Sequence, residues 1–133
     1  MTRTIIATPD APSSPLYSQG VRVGSTIYVS GMVGVDPDTG QLAGTSIGEQ
    51  TGQALRNCQS VLEAGGCTLD DVALVTVLLA RPADFTGMNE AYATVFGDDP
   101  PARAVTRLGP ELPGILVSIM MTAHLDDQVH RSA

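Results

Sequence analysis

The sequence predicts a small α+β domain in which one sheet carries two helices on one face. Three observations carry this expectation. Short runs rich in Val, Ile and Thr are bounded by Gly, Pro and Asp turns. Two stretches with apolar residues at helical spacing interrupt those runs. The 133 residues are 43% hydrophobic and 16% charged, a globular composition at the length of one domain. With no internal repeat and no linker, 1–133 is read as one domain, its polar end 126–133 as a fraying tail.

Thr2–Ala7 is a β-prone run closed by Thr8-Pro9-Asp10. Val21–Val23 and Thr26–Ser30 flank Gly24-Ser25, a hairpin signal. Met32–Val35 is apolar but broken by Gly34, and Asp36-Pro37-Asp38-Thr39-Gly40 is a turn. Ser46 with Glu49 fits the capping box of a helix that presents Ile47, Ala54, Leu55, Val61 and Leu62 and stops at Gly65-Gly66. Val72–Ala80, nearly all apolar, reads as a strand buried on both faces. Asp84 is the expected N-cap of a second helix with Phe85, Met88, Tyr92, Val95 and Phe96 on one side. Ala102–Leu108 and Ile115–Ala123 are the last two strands, joined by the loop Gly109–Gly114. Two helices can cover only one sheet face, so the apolar other face needs a partner, most simply further copies of the chain.

Composition excludes several functions. The net charge is −7 and the seven basic residues form no cluster, which argues against nucleic acid and against an anionic membrane surface. All seven are Arg, so no mechanism that needs a lysine amine is available. Cys58 and Cys67 match no zinc spacing and read as reduced structural thiols. No long apolar segment opens the chain and none could span a membrane, so a cytoplasmic protein without metal or cofactor is expected.

Arg103, in Pro100-Pro101-Ala102-Arg103-Ala104-Val105, is the first candidate for chemistry. Its fixed fork can grip a carboxylate with two parallel hydrogen bonds. A charge that blunts an edge strand is the competing reading. Gly31 lets a backbone approach a ligand closely, and Ser30 offers a hydroxyl. Asn89 on the second helix and Tyr17 in Pro15-Leu16-Tyr17-Ser18-Gln19-Gly20 could touch a ligand or simply be solvated.

Together these pieces form a pattern. Tyr17-Ser18-Gln19-Gly20, Val29-Ser30-Gly31, Val35-Asp36-Pro37-Asp38-Thr39-Gly40, Asp84-Phe85 with Met88-Asn89 and Tyr92, Pro101-Ala102-Arg103 and Leu112-Pro113-Gly114 occur in this order. The chain thereby resembles the reactive intermediate deaminase family, RidA/YjgF, from about Ile5 to Ala123. The resemblance implies a chorismate-mutase-like fold and a homotrimer whose sheets form an inner β-barrel. It also implies clefts between subunits that hydrolyse reactive enamines or imines to 2-keto acids and ammonia without a cofactor. Arg103 then matches the arginine that binds the substrate carboxylate. Tyr17, Ser30, Gly31 and Asn89 match pocket residues on one wall, with Arg103 reaching in from the neighbouring subunit.

Two departures stand out. Val105 occupies a position where the family often has Cys, a contact made largely through the backbone. Ser118, in Val117-Ser118-Ile119-Met120-Met121, falls where deaminating members usually carry Glu, and Ile115–Ala123 contains no carboxylate at all. A serine orients water but is a poor base. Glu111 could substitute, or be a solvated loop charge. Deamination is therefore the expected activity, with Arg103 and Ser118 as catalytic candidates. The alternatives are a non-hydrolytic step (cyclisation, tautomerisation or condensation) and a carboxylate-binding trimer; Val105, Met120 and Met121 would suit a less polar ligand if they line the cleft.

Overall fold

The computed structural model describes residues 2–125; the tail expected at 126–133 lies outside them. Its strands are β1 (Arg3–Ile6), β2 (Gly20–Val23), β3 (Thr26–Val33), β4 (Val35–Asp36), β5 (Gln41–Leu42), β6 (Val72–Leu79), β7 (Ala102–Arg107) and β8 (Val117–His124). The helices are α1 (Ile47–Ala64) and α2 (Phe85–Ala93). Six strands form one sheet in the order β1-β2-β3-β8-β6-β7, antiparallel except for the pair β6/β7, and β4 pairs with β5 separately.

The hairpin forms as its sequence demands: Val23 pairs with Thr26, and Gly24 takes the turn at φ +59. Beyond Ser30 the strand does not stop. It continues to Val33 through a bulge, in which Ser30 and Gly31 fall between the pairs Val29/Met121 and Met32/Ile119. A bulge re-aims side chains without ending the ladder. The last strand starts two residues later than expected, at Val117.

The capping box of α1 is present: the Ser46 hydroxyl accepts from the Glu49 N–H at 3.1 Å and Glu49 reaches back to the Ser46 N–H at 3.3 Å. At the other end Gly66 adopts φ +91, open to glycine at no steric cost. Ala54, Leu55, Cys58, Val61 and Leu62 are buried against β3 and β8. Burial pushes the Cys58 thiol well above its usual range, which keeps it protonated. α2 packs beside α1 on the same side of the sheet.

Asp84 does not cap α2. Its carboxylate is taken by Arg81, at 2.9 and 3.1 Å, and a 3₁₀ turn over Pro82–Asp84 leads into the helix instead. Val95 and Phe96 lie past the end of α2, although the Phe96 ring still packs 5.0 Å from Tyr92.

Register divides the sheet into two faces, because residues paired across strands point to the same side. Val29, Met121 and Val75 form a buried row beneath the helices. Ile5, Val21, Tyr28, Thr122 and Leu74 form a row on the other side, where Ile5 is 51%, Tyr28 50% and Leu74 42% exposed. The strand at Val72 is thus not buried on both faces within one chain. Its outer side belongs to an apolar sheet face that the two helices leave open.

Candidate functional site

Arg103 ends the row Val29–Met121–Val75 on the edge strand β7, so it lies on the helix side of the sheet. There α2 meets it. The Arg103 Nη1 donates to the Asn89 Oδ1 at 2.8 Å. The Tyr92 ring lies 4.8 Å and the Phe85 ring 6.0 Å from the guanidinium carbon. Asn89 and Tyr92, three apart on a helix, face the same way and hold the fork from two directions. The Tyr92 hydroxyl is pushed up by burial, with the Arg103 charge opposing, and remains a neutral phenol. Val105, two residues on, lines a recess of about 350 Å³ with Leu79, Pro82, Phe85, Thr106 and Arg107.

Ser118 belongs to a different row. It pairs with Val33 and Leu78, on the open face. It is only 9% exposed there because a cleft of about 360 Å³ closes around it, lined by Tyr17, Ser30, Gly31, Val33, Leu108 and Leu112. The bulge sets Gly31 against it: a Cβ on Gly31 would lie 2.8 Å from the Ser118 Oγ. The Tyr17 loop is tied down from below. The Ser30 hydroxyl donates to the Ser18 carbonyl at 2.6 Å, and the Ser30 N–H to the Gln19 carbonyl at 2.9 Å. The buried Gln19 amide accepts from the Thr8 N–H at 2.7 Å and donates to the carbonyls of Thr8, Ala11 and Pro12.

Two half-sites result, on opposite faces of one sheet. Tyr17, Ser30, Gly31 and Ser118 come together, while Arg103, Asn89 and Val105 form a separate group. Asn89 therefore does not share a wall with Tyr17 and Ser30; its helix binds it to Arg103. Glu111 lines another recess, with Arg107 and Pro110, and does not line the Ser118 cleft. Met121 is buried in the core and Met120 is 44% exposed on the open face, so neither lines the Ser118 cleft. Among the described residues, no cluster of His, Cys, Asp and Glu is arranged to hold a metal ion, and no helix is long and apolar enough to cross a membrane.

Sequence patterns gave no functional signal for Phe85, Tyr92, Leu108 and Leu112. The two aromatics sit at helical spacing and read as core. Only the neighbouring strand reveals that they flank a cation.

Comparison with known proteins follows this geometry. Residues 8–125 match the family model described as endoribonuclease L-PSP. The mouse 2-iminobutanoate/2-iminopropanoate deaminase is 43% identical over 118 residues, covering 88% of this chain and 87% of its own. A RutC family protein of Saccharolobus solfataricus is 42% identical over 91% of this chain and 97% of its own. The crystal structure of RidA from an Antarctic Psychrobacter superposes with a TM-score of 0.86 at 33% identity, covering 92% of this chain and 99% of that one. Escherichia coli TdcF with bound serine gives 0.86 at 28% identity, over 92% and 99%. The chain therefore belongs to the endoribonuclease L-PSP family, the RidA/YjgF group its sequence resembles.

Proposed function

We propose that this chain is a 2-imino acid deaminase whose active site is completed by a second copy of the chain. The observation that carries the reading is the Arg103 fork, oriented by Asn89 and Tyr92 at the sheet edge. A guanidinium held this way binds a carboxylate bidentately. The mammalian relatives named as 2-imino acid deaminases, and the bound serine of the TdcF structure, both involve an α-carboxylate.

One chain keeps Arg103 and Ser118 on opposite faces, so Arg103 of one copy must meet the Tyr17–Ser118 cleft of the next. The open apolar face offers the means of assembly: Tyr28, Leu74 and Met120 are too exposed to be left in water as one continuous patch. A cyclic trimer with the three sheets turned inward covers them and creates three such junctions.

In the reaction, Arg103 fixes the substrate carboxylate and thereby places C2 of the protonated imine at the cleft. A water held by the Ser118 hydroxyl in the slot beside Gly31 attacks C2. The C–O bond forms, a proton passes from that water to the nitrogen, and the C–N bond of the resulting carbinolamine breaks. The products are a 2-oxo acid and ammonium. The electrophile is already activated by its charge, so the reaction tolerates a weak base, at a cost of roughly 10²–10⁴-fold relative to a carboxylate.

Ser118 also supports a second reading, in which the cleft binds a carboxylate and directs a non-hydrolytic step, or simply retains it. The net charge of −7 disfavours the ribonuclease activity in the family description. A coupled assay with freshly generated 2-aminoacrylate separates these readings. Acceleration of keto-acid formation by the wild type, lost in Arg103→Ala, is the expected result. Activity confined to Ser118→Glu would mean that hydrolysis has been given up.

A further inference from the structure

Two apolar recesses flank Arg103. On one side the guanidinium is closely covered, by the Tyr92 ring at 4.8 Å and by Asn89 at 2.8 Å. On the other the Phe85 ring stands off at 6.0 Å and opens onto the recess of about 350 Å³ that it shares with Leu79, Pro82 and Val105. Val105 lies on the same side of β7 as Arg103, two residues on. Phe85 is 45% exposed at the start of α2, unlike Met88 and Tyr92, which α2 buries. A large aromatic left open between a carboxylate-binding fork and an apolar recess is placed to receive an apolar group attached to that carboxylate.

Resting on the deaminase reading, we propose that the recess between Phe85 and Val105 is the side-chain subsite, and that it selects 2-imino acids with branched apolar side chains. With the carboxylate on Arg103, the substituent at C2 runs along β7 over Phe85 and onto Val105. The ethyl group of a 2-iminobutanoate leaves most of this space unfilled, whereas an isobutyl group reaches Leu79 and Pro82. Apolar contact of this kind discriminates by roughly 10–200-fold per methylene.

The test generates imino acids in situ from L-alanine and L-leucine with an L-amino-acid oxidase and follows the acceleration of 2-oxo acid release. Alongside it, pyruvate and 4-methyl-2-oxopentanoate, stable product analogues, are titrated against the same protein. The leucine-derived imine should show kcat/KM at least about tenfold above the alanine-derived one. The branched 2-oxo acid should bind more tightly in the same sense, and Phe85→Ala should collapse both ratios while Phe85→Tyr retains them. A ratio near one in the wild type, or a Phe85→Ala variant that lowers both substrates alike, overturns the subsite. Turnover of both imines without preference leaves the deaminase reading standing and removes the subsite. Preferential, Phe85-dependent binding of the branched 2-oxo acid without any turnover does the reverse.

Discussion

Adding one methyl group at Gly31 tests the geometry of the Ser118 cleft directly. An ideal Cβ there lies 2.8 Å from the Ser118 Oγ and meets nothing else within 4 Å. Gly31 is absent from the positive-φ glycines, so its backbone accepts alanine without strain. In the wild-type background Gly31→Ala forces the serine hydroxyl from its rotamer or spreads β3 from β8, costing about 1–2 kcal/mol. In a Ser118→Ala background the obstacle is gone. The same substitution should then stabilise by about 0.4–1 kcal/mol, because alanine loses less backbone freedom on folding than glycine. The sign reverses between backgrounds, and the difference, about 1.5–3 kcal/mol, is the coupling between the two positions. Urea unfolding of the four proteins at one fixed concentration measures it. Equal costs in both backgrounds would refute the contact, and with it the claim that Gly31 and Ser118 form one slot.

Three further outcomes follow from the same contacts. Asn89→Ala frees the Arg103 fork and should raise KM about five- to tenfold with little change in kcat, read by steady-state deamination kinetics. Ser118→Glu supplies a base beside Gly31 and should raise turnover by roughly 10²-fold. That carboxylate must be ionised to accept a proton, so the variant's rate should fall as pH drops through about 4.3, a limb the wild-type pH profile lacks. Gln50 is fully buried, donates to the carbonyls of Gly44 and Gly114, and accepts from the Leu116 N–H at 2.8 Å. Gln50→Leu orphans all three and should cost about 2–4 kcal/mol in urea unfolding, with a raised KM because the loop carrying Leu112 loosens.

Local signals were readable in the sequence where nothing distant competes for them. The Ser46–Glu49 box and the Gly24-Ser25 turn each depend on partners within a few residues, and both form. Asp84 carried an equally good local signal and failed, because Arg81, three residues earlier, offers its carboxylate a charged partner. The insertion of β8 between β3 and β6 joins segments that no window along the chain can relate. The same holds for the site. Gly31 and Ser118 were each visible, yet their contact depends on the bulge that places residue 31 against residue 118. Asn89 was assigned to the wrong half because motif order does not record which sheet face a residue occupies. Phe85 and Tyr92 satisfy helical periodicity whether they cover a core or a cation, so periodicity alone could not separate the two.

The division of the site between faces has a consequence that kinetics can count. Arg103→Ala damages only the edge-strand half, and Gly31→Val only the bulge half, so each homo-oligomer lacks every complete junction. In a cyclic trimer each junction takes its fork from one chain and its cleft from the next. If the two variants are unfolded together in equal amounts and refolded, a junction works only when the Gly31→Val chain supplies Arg103 and the Arg103→Ala chain supplies the cleft. Random assembly makes that arrangement about one junction in four, so about a quarter of the wild-type activity should return. A site contained within one chain would return none, since every chain carries a lesion. Recovery well below a quarter with intact trimers would mean that chains sort by type, which mass measurement of the hybrids would reveal. Tyr28→Glu, placing a charge in the apolar row that the proposed assembly buries, should abolish both trimer and recovery, because the fork and the cleft then remain on opposite sides of separate sheets.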